Sequence, residues 1–432
     1  MNARRLTGSI AGLLAFGLAI SACGSGGTGE GGSTDTLRVW FPGNHAEEMA
    51  LINDELVPIF EEEHDLNVEV EFIDWGDLAA RLSTGFAGGT TPDVFGHGNA
   101  AAAGYAAEDR VIALDGYLEQ LPEEEVADFT FLDQGVVDDE HIIMPLRGFG
   151  HLLAYRADLF EEAGLDPAAA PGDWAELRSA AEALTERDGQ TITRAGIVMS
   201  TQDTTSMTQA YGNFLFQAGG AFLAEDNATV TWDSEEGVAA LEFLVDLYVG
   251  EDAVASGLGE ATTNAGAQHP LVTGRAAMAV LDEATLKTIH EQAPEVAEDI
   301  VVAAPIAEAQ SAAFGGAGNG LFISADSSMQ DEAWEFIQFL LEPENAKAYV
   351  ETVGGIPARA SLADDPELTE VPYIAPYMAA AEEFQGNPNV ELWTQIRDVL
   401  GNEVEAALHG VTPPAEALNA AAAEANALLV DN

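Results

Sequence analysis

Residues 36–95 read TLRVWFPGNHAEEMALINDELVPIFEEEHDLNVEVEFIDWGDLAARLSTGFAGGTTPDVF. Leu37 to Phe41 is a short, largely apolar run closed by a Pro-Gly turn, which predicts a strand. Met49, Ile52, Leu56 and Ile59 then recur near the helical period of about 3.6 residues, with Pro58 expected to kink or end the helix. Val68, Val70 and Phe72 alternate with Glu69 and Glu71, the pattern of a half-buried strand. Trp75 to Ala87 is helical in pattern, and Gly88-Gly89-Thr90-Thr91-Pro92 breaks it before a third short strand at Asp93-Val94-Phe95. Strand and helix in strict alternation predict an α/β fold on a largely parallel sheet.

The alternation restarts after the turn at Gly148. A helix from Ala157 to Ala163 ends at Gly164, and Trp174 to Arg187 forms the next. Val238, Leu241, Leu244, Val245 and Tyr248 share one face of an amphipathic helix over Glu235–Val249. A long helix after Ser328 turns Trp334, Ile337, Leu340 and Leu341 inward, and Pro413 to Leu429 reads as a last surface helix. Trp232 and Trp334 are read as packing residues. A chain of 432 residues exceeds what one hydrophobic core usually supports, so two domains are expected.

Seventy-four acidic residues against fifteen basic ones give a net charge of −59. Such a surface repels phosphate backbones, so nucleic acid is excluded as a partner. Paired carboxylates would suit a secreted glycosidase, but with this many acids chance pairs carry no signal. There is no His-Glu-x-x-His, no Walker-type glycine loop and no Gly-x-Ser-x-Gly, and the eight histidines show no metal-ligand spacing. A binder without metal or cofactor is the expectation, not an enzyme.

The single cysteine, Cys23, excludes an intrachain disulfide. It follows Arg4 and Arg5, an apolar stretch from Ile10 to Ala19, and Ile20-Ser21-Ala22. A basic start, a short apolar core and small residues before a cut make a secretory signal over 1–22, too short for a membrane span. Ile20 to Cys23 resembles the bacterial lipobox, which implies a lipidated Cys23, membrane attachment through lipid alone, and a Gly/Ser/Thr-rich tether over 23–35.

Further strings follow in order: PDVF at 92–95, AYRADLFEEAGLD at 154–166, WDSEEGVAALEFLVDLY at 232–248, LVTGRAAMAVL at 271–281, FGGAGNGLFIS at 314–324, EAWEFIQFLLEPENAKAY at 332–349 and GGIPAR at 354–359. In this order, behind a lipobox, they resemble the family 1 extracellular solute-binding proteins of ABC importers, across nearly the whole mature chain. The resemblance implies a monomer of two α/β lobes joined by a hinge, periplasmic-binding-protein-like, each lobe a mostly parallel sheet flanked by helices. A sugar would bind between the lobes and be delivered to the permease subunits. The first lobe is expected at 36–146 and 312–355, the second at 147–311 and 356–432.

Sugars are held by aromatic faces and by planar polar groups, so candidates are sought on loops after strands. Asn44 and His45 follow the first strand, where the alternative is an exposed turn. Trp75 with Asp77 suits a sugar platform, unless Asp77 caps the helix. Asp93 could accept hydroxyl protons or tie down its loop, and Asn99 lies just beyond Gly96, His97 and Gly98. Arg147 and Phe149 sit at the lobe crossover, Arg147 as a forked donor or as half of a salt bridge. Tyr211, with Asn213 and Gln217, is expected on a cleft-facing helix. Gly316, Gly318 and Asn319 match the family's cleft segment, where backbone amides face ligand. An anionic ligand such as a glycerol phosphate would instead need two of Arg147, Arg359 and Arg397 to converge.

Replacing Cys23 by Ser should release the protein from membranes into the soluble fraction. Palmitate labelling that still marks the variant would contradict the lipobox reading.

Overall fold

The computed structural model describes residues 36–263 and 265–430. The signal segment, Cys23 and the tether lie outside the described residues. One five-stranded sheet has the order Asn67–Ile73, Thr36–Pro42, Val94–Gly98, Asn319–Ile323, Met144–Pro145. Its first three strands are mutually parallel. The strand Asn67–Ile73 lies at the edge, and its burial alternates as the Val/Glu pattern requires. A second five-stranded sheet has the order Ile300–Val302, Leu152–Arg156, Ala276–Leu281, Thr191–Met199, Glu186–Asp188.

Four of the five strands of the first sheet run in one direction, and three of the five in the second, with antiparallel strands set among them. Asn319–Ile323 runs antiparallel to Val94–Gly98, and Leu152–Arg156 runs antiparallel to both of its neighbours. Both strands are fed directly from strands of a third, four-stranded sheet, ordered Ile356–Pro357, Arg147–Gly150, Ala313–Ala317, Phe384–Gln385. They enter by short turns, whereas parallel neighbours need helical crossovers. Within the third sheet, Gly150, Phe149 and Gly148 pair antiparallel with Gly315, Gly316 and Ala317. The close approach demands glycine: a Cβ on Gly148 would stand 2.2 Å from Phe131, and one on Gly150 2.0 Å from Phe384.

Pro58 neither ends nor breaks its helix. The helix continues from Ala46–Ala50 through a π-helical segment, Leu51–Leu56, into Val57–His64. Proline cannot donate to the preceding turn, and a π segment beside it absorbs the register change. The helix Trp174–Leu184 stops short of Arg187, because Glu186–Asp188 joins a hairpin turned by Gly189 at φ +64°. The C-terminal helix Pro414–Val430 is more than a surface element. Its Ala417, Leu418, Ala421, Ala422 and Ala425 are buried in the largest core, small side chains that let it lie close to Trp393–Leu408.

Trp232 and Trp393 are fully buried in that core, each with its indole N–H bonded, and Trp334 packs in the core of the first sheet. Trp232→Ala should cost about 3–5 kcal/mol of unfolding free energy, the range for emptying a large aromatic site, read from denaturant midpoints; a loss below about 1 kcal/mol would show that the site collapses freely.

Candidate functional site

In α/β sheets ligands sit beyond the carboxyl ends of strands. At that end of the second sheet an open cavity of about 140 Å³ is lined by Phe149, His151, Met199, Ser200, Ser206, Gln209, Thr262, Thr263, Asp282 and Thr285, among others. Met199 and Ser200 come from the end of Thr191–Met199. Asp282 follows Ala276–Leu281 and caps the next helix, its Oδ1 accepting from Thr285 N at 2.7 Å. Ser206 and Gln209 lie in the first turns of Thr204–Gln217, fixed by a capping box with Asp203. Phe149 and His151 flank the junction between the third sheet and the second. Burial holds the His151 imidazole below its usual pKa, so it is neutral at pH 7, opposed by the field of Asp282. The lining therefore offers an aromatic face, neutral donors and acceptors, and one carboxylate.

At the carboxyl end of the first sheet the structure gathers Asn44, Trp75 and His97. Asn44 Nδ2 donates to Asp74 Oδ2 at 2.7 Å. Trp75 is 49% exposed and meets the His97 ring edge to face at 5.9 Å. Asp74, not Asp77, caps the Trp75–Gly88 helix, its Oδ1 accepting from Gly76 N. That leaves Asp77 exposed in the first turn. Gly98 N donates to His97 Nδ1 at 2.8 Å, which puts the proton of the neutral ring on Nε2. Desolvation pulls the His97 pKa down to about 4. His45 is exposed, at the start of helix Ala46–Ala50.

Other sequence candidates are placed elsewhere or are already occupied. Asp93 precedes its strand and sits at the opposite end of the sheet. It accepts from Arg38 N and from Ser327 Oγ, so it ties a loop. Tyr211 is fully buried and its hydroxyl reaches the carbonyls of Trp232 and Gly237; it faces the core, not the cleft. Asn213 accepts from Phe314 N, and Gln217 from the Trp174 indole. The Gly316 and Gly318 backbone is spent on the strand Arg147–Gly150: Gly316 pairs with Phe149 and Gly318 N donates to Arg147 O. Asn319 is buried against Tyr349. Asn99 is buried too, and its amide donates to Gln134 O and Asn389 Oδ1.

Arg147 is paired with Glu283 at 2.6 Å. Burial raises the Glu283 carboxyl to about 7, with Arg147 pulling it back in part. Arg359 is buried beneath the first sheet, stacked on Phe129 and beside Glu125 and Asp128. Arg397 contacts Asp398. All three arginines thus have carboxylate partners within the fold.

The model of the bacterial extracellular solute-binding protein family matches residues 42–347. The chain belongs to that family. An uncharacterised lipoprotein of Streptomyces antibioticus is 29% identical over 356 residues, 79% of this chain and 73% of that one. An ABC transporter solute-binding protein of Thermotoga lettingae, bound with α-D-tagatose, superposes with a TM-score of 0.78 at 24% identity, covering 91% of this chain and 99% of that one. The cyclic α-maltosyl-1,6-maltose binding protein of Arthrobacter globiformis gives 0.79 at 22% identity, covering 93% and 100%. These likenesses place the chain in the two-lobed periplasmic-binding-protein-like α/β fold, and its relatives are binding proteins rather than enzymes.

Of the sequence candidates, only Phe149 lines the cavity in the second sheet. Asp282 was one residue beyond the quoted string 271–281, and Ser200 directly follows the strand that ends at Met199. Both could have been found from strand ends; Gln209 and Thr262 carried no comparable signal.

His97 gives a pH signature. The unfolded chain takes up a proton near pH 6.5 that the folded His97 refuses until about pH 4, so stability is lost as pH falls. Between pH 7 and 5 the protein should lose about 1–2 kcal/mol relative to His97→Gln. Parallel pH profiles of the two unfolding midpoints would contradict this.

Proposed function

We propose that the protein is the lipid-anchored receptor of an ABC importer, and that it captures a neutral sugar or oligosaccharide between two lobes. The division of lobes in this reading is 36–146 with 312–355, and 147–311 with 356–432. The observation that carries the reading is the lining of the strand-end cavity: Phe149 for the apolar face of a ring, and Gln209, Ser200, Thr262 and Asp282 for its hydroxyls. Trp75 adds an exposed aromatic face at the end of the other sheet. A site built to hydrogen-bond hydroxyls rejects ligands that leave its polar groups unpaired. An anionic ligand finds less support, because Asp282 would repel it and Arg147 is already matched by Glu283. The tagatose bound to the Thermotoga protein and the sugar for which the Arthrobacter binding protein is named favour the same ligand class. Attachment by lipid at Cys23 fits the lipoprotein description of the Streptomyces relative. No helix among the described residues is long and apolar enough to cross a membrane.

A thermal-shift screen over mono-, di- and oligosaccharides should raise the melting temperature with one class, because binding to the native state alone stabilises it. For the sugar so found, Asp282→Asn and Trp75→Ala should each weaken binding by about 1–3 kcal/mol in calorimetric titration, with one-to-one stoichiometry and no turnover. Release of product, or stabilisation by sugar phosphates alone, would overturn the reading.

A further inference from the structure

Only two lysines occur in the chain, Lys287 and Lys347. Lys287 lies on helix Glu283–Gln292, which begins at the cavity residue Asp282. Its Nζ donates to Glu47 Oε2 at 2.9 Å and also contacts Glu291 on its own helix. Glu47 belongs to helix Ala46–Ala50, which follows the first strand of the first sheet, 240 residues away in sequence. The pair thus joins an element at the carboxyl end of one sheet to an element at the carboxyl end of the other.

Both ends of this bridge are anchored. Next to Glu47, the buried Glu48 accepts from Tyr349 Oη at 2.6 Å, which fixes the short helix to its own side. On the other side, Glu283 accepts from Arg147 Nη1 at 2.6 Å and from Gly150 N at 3.2 Å, which fixes the start of the Lys287 helix to the strand Arg147–Gly150. The Lys287 side chain is 8% exposed, against 64% for Glu47. A rigid mount at each end lowers the entropy lost in holding the pair, the usual reason an exposed pair contributes little.

The net charge gives the bridge its work. At −59, two lobes brought together repel one another, and the repulsion is strongest at low ionic strength. A cation held between carboxylates of opposite sides offsets that repulsion at the point of contact. Because Lys287 is largely withdrawn from water, salt screens its pair less than it screens the long-range repulsion.

We propose that Lys287 is a positioning residue for solute capture, a bolt that draws the two lobes together through Glu47 in the free protein. The proposal rests on the solute-capture reading for its purpose, but not for its test. Small-angle scattering of the protein without solute compares wild type with Lys287→Met, Glu47→Gln and Glu291→Gln at low and at high sodium chloride. Lys287→Met keeps the apolar stem and removes the charge; Glu47→Gln changes an exposed side chain and leaves packing alone. Both should increase the radius of gyration at low salt, and the difference from wild type should shrink in high salt. Glu291→Gln should behave as wild type. Equal radii for wild type, Lys287→Met and Glu47→Gln at low salt would overturn the bolt, as would expansion by Glu291→Gln with none by Glu47→Gln, which would confine Lys287 to a role within its helix. Failure here leaves the receptor reading standing, and a protein that binds none of the sugars leaves the bolt standing.

Discussion

The antiparallel pairing of Gly148–Gly150 with Gly315–Ala317 is the constraint on which the rest of the molecule depends. Each of these strands runs on within two residues into one of the large sheets: Arg147–Gly150 into Leu152–Arg156, and Ala313–Ala317 into Asn319–Ile323. The short ladder therefore fixes where the two sheets stand and which way the incoming strands run. Glycine is required there because the Phe131 and Phe384 rings occupy the space where a Cβ would project. Chains crossing between sheets at one narrow ladder are also what permits hinge motion, since a few element-terminal residues can absorb the rotation.

Around this ladder the charged groups are neutralised locally while the cavity keeps neutral donors. Arg147 is spent on Glu283, Glu48 meets Tyr349, and Lys287 meets Glu47. His97 and His151 are held neutral by burial, so they add no net charge. Neutral polar groups beside an aromatic face suit a polyhydroxylated solute, and a strongly acidic exterior does not interfere with an uncharged one.

The fold was largely legible in the sequence, because hydrophobic period and turn residues are local. The strands at 37–41 and 68–72 and the helix at 75–87 lie where their alternation puts them. What escaped was non-local. Strand direction depends on the third sheet, which pairs segments far apart in the chain, so the alternation foretold the majority direction but not the antiparallel strands Asn319–Ile323 and Leu152–Arg156. The site was less legible. Tyr211 is polar and lies on a helix whose N-terminal turns do line the cavity, yet it follows the lining residue Ala210 on the other face of the helix and its hydroxyl is consumed by backbone carbonyls. Asp93 precedes its strand instead of following it, which moves it to the wrong end of the sheet. For Arg147 the sequence left a forked donor and a salt bridge open, and the acid excess explains why it is paired.

A crystal structure of the protein with the sugar that stabilises it most would test the central claim most directly. The account predicts a sugar ring against Phe149, its hydroxyls bonded to Asp282 and Gln209, with Trp75 brought over the opposite side by approach of the lobes. Sugar bound outside this cavity, or an anionic group of the ligand displacing Glu283 from Arg147, would contradict it.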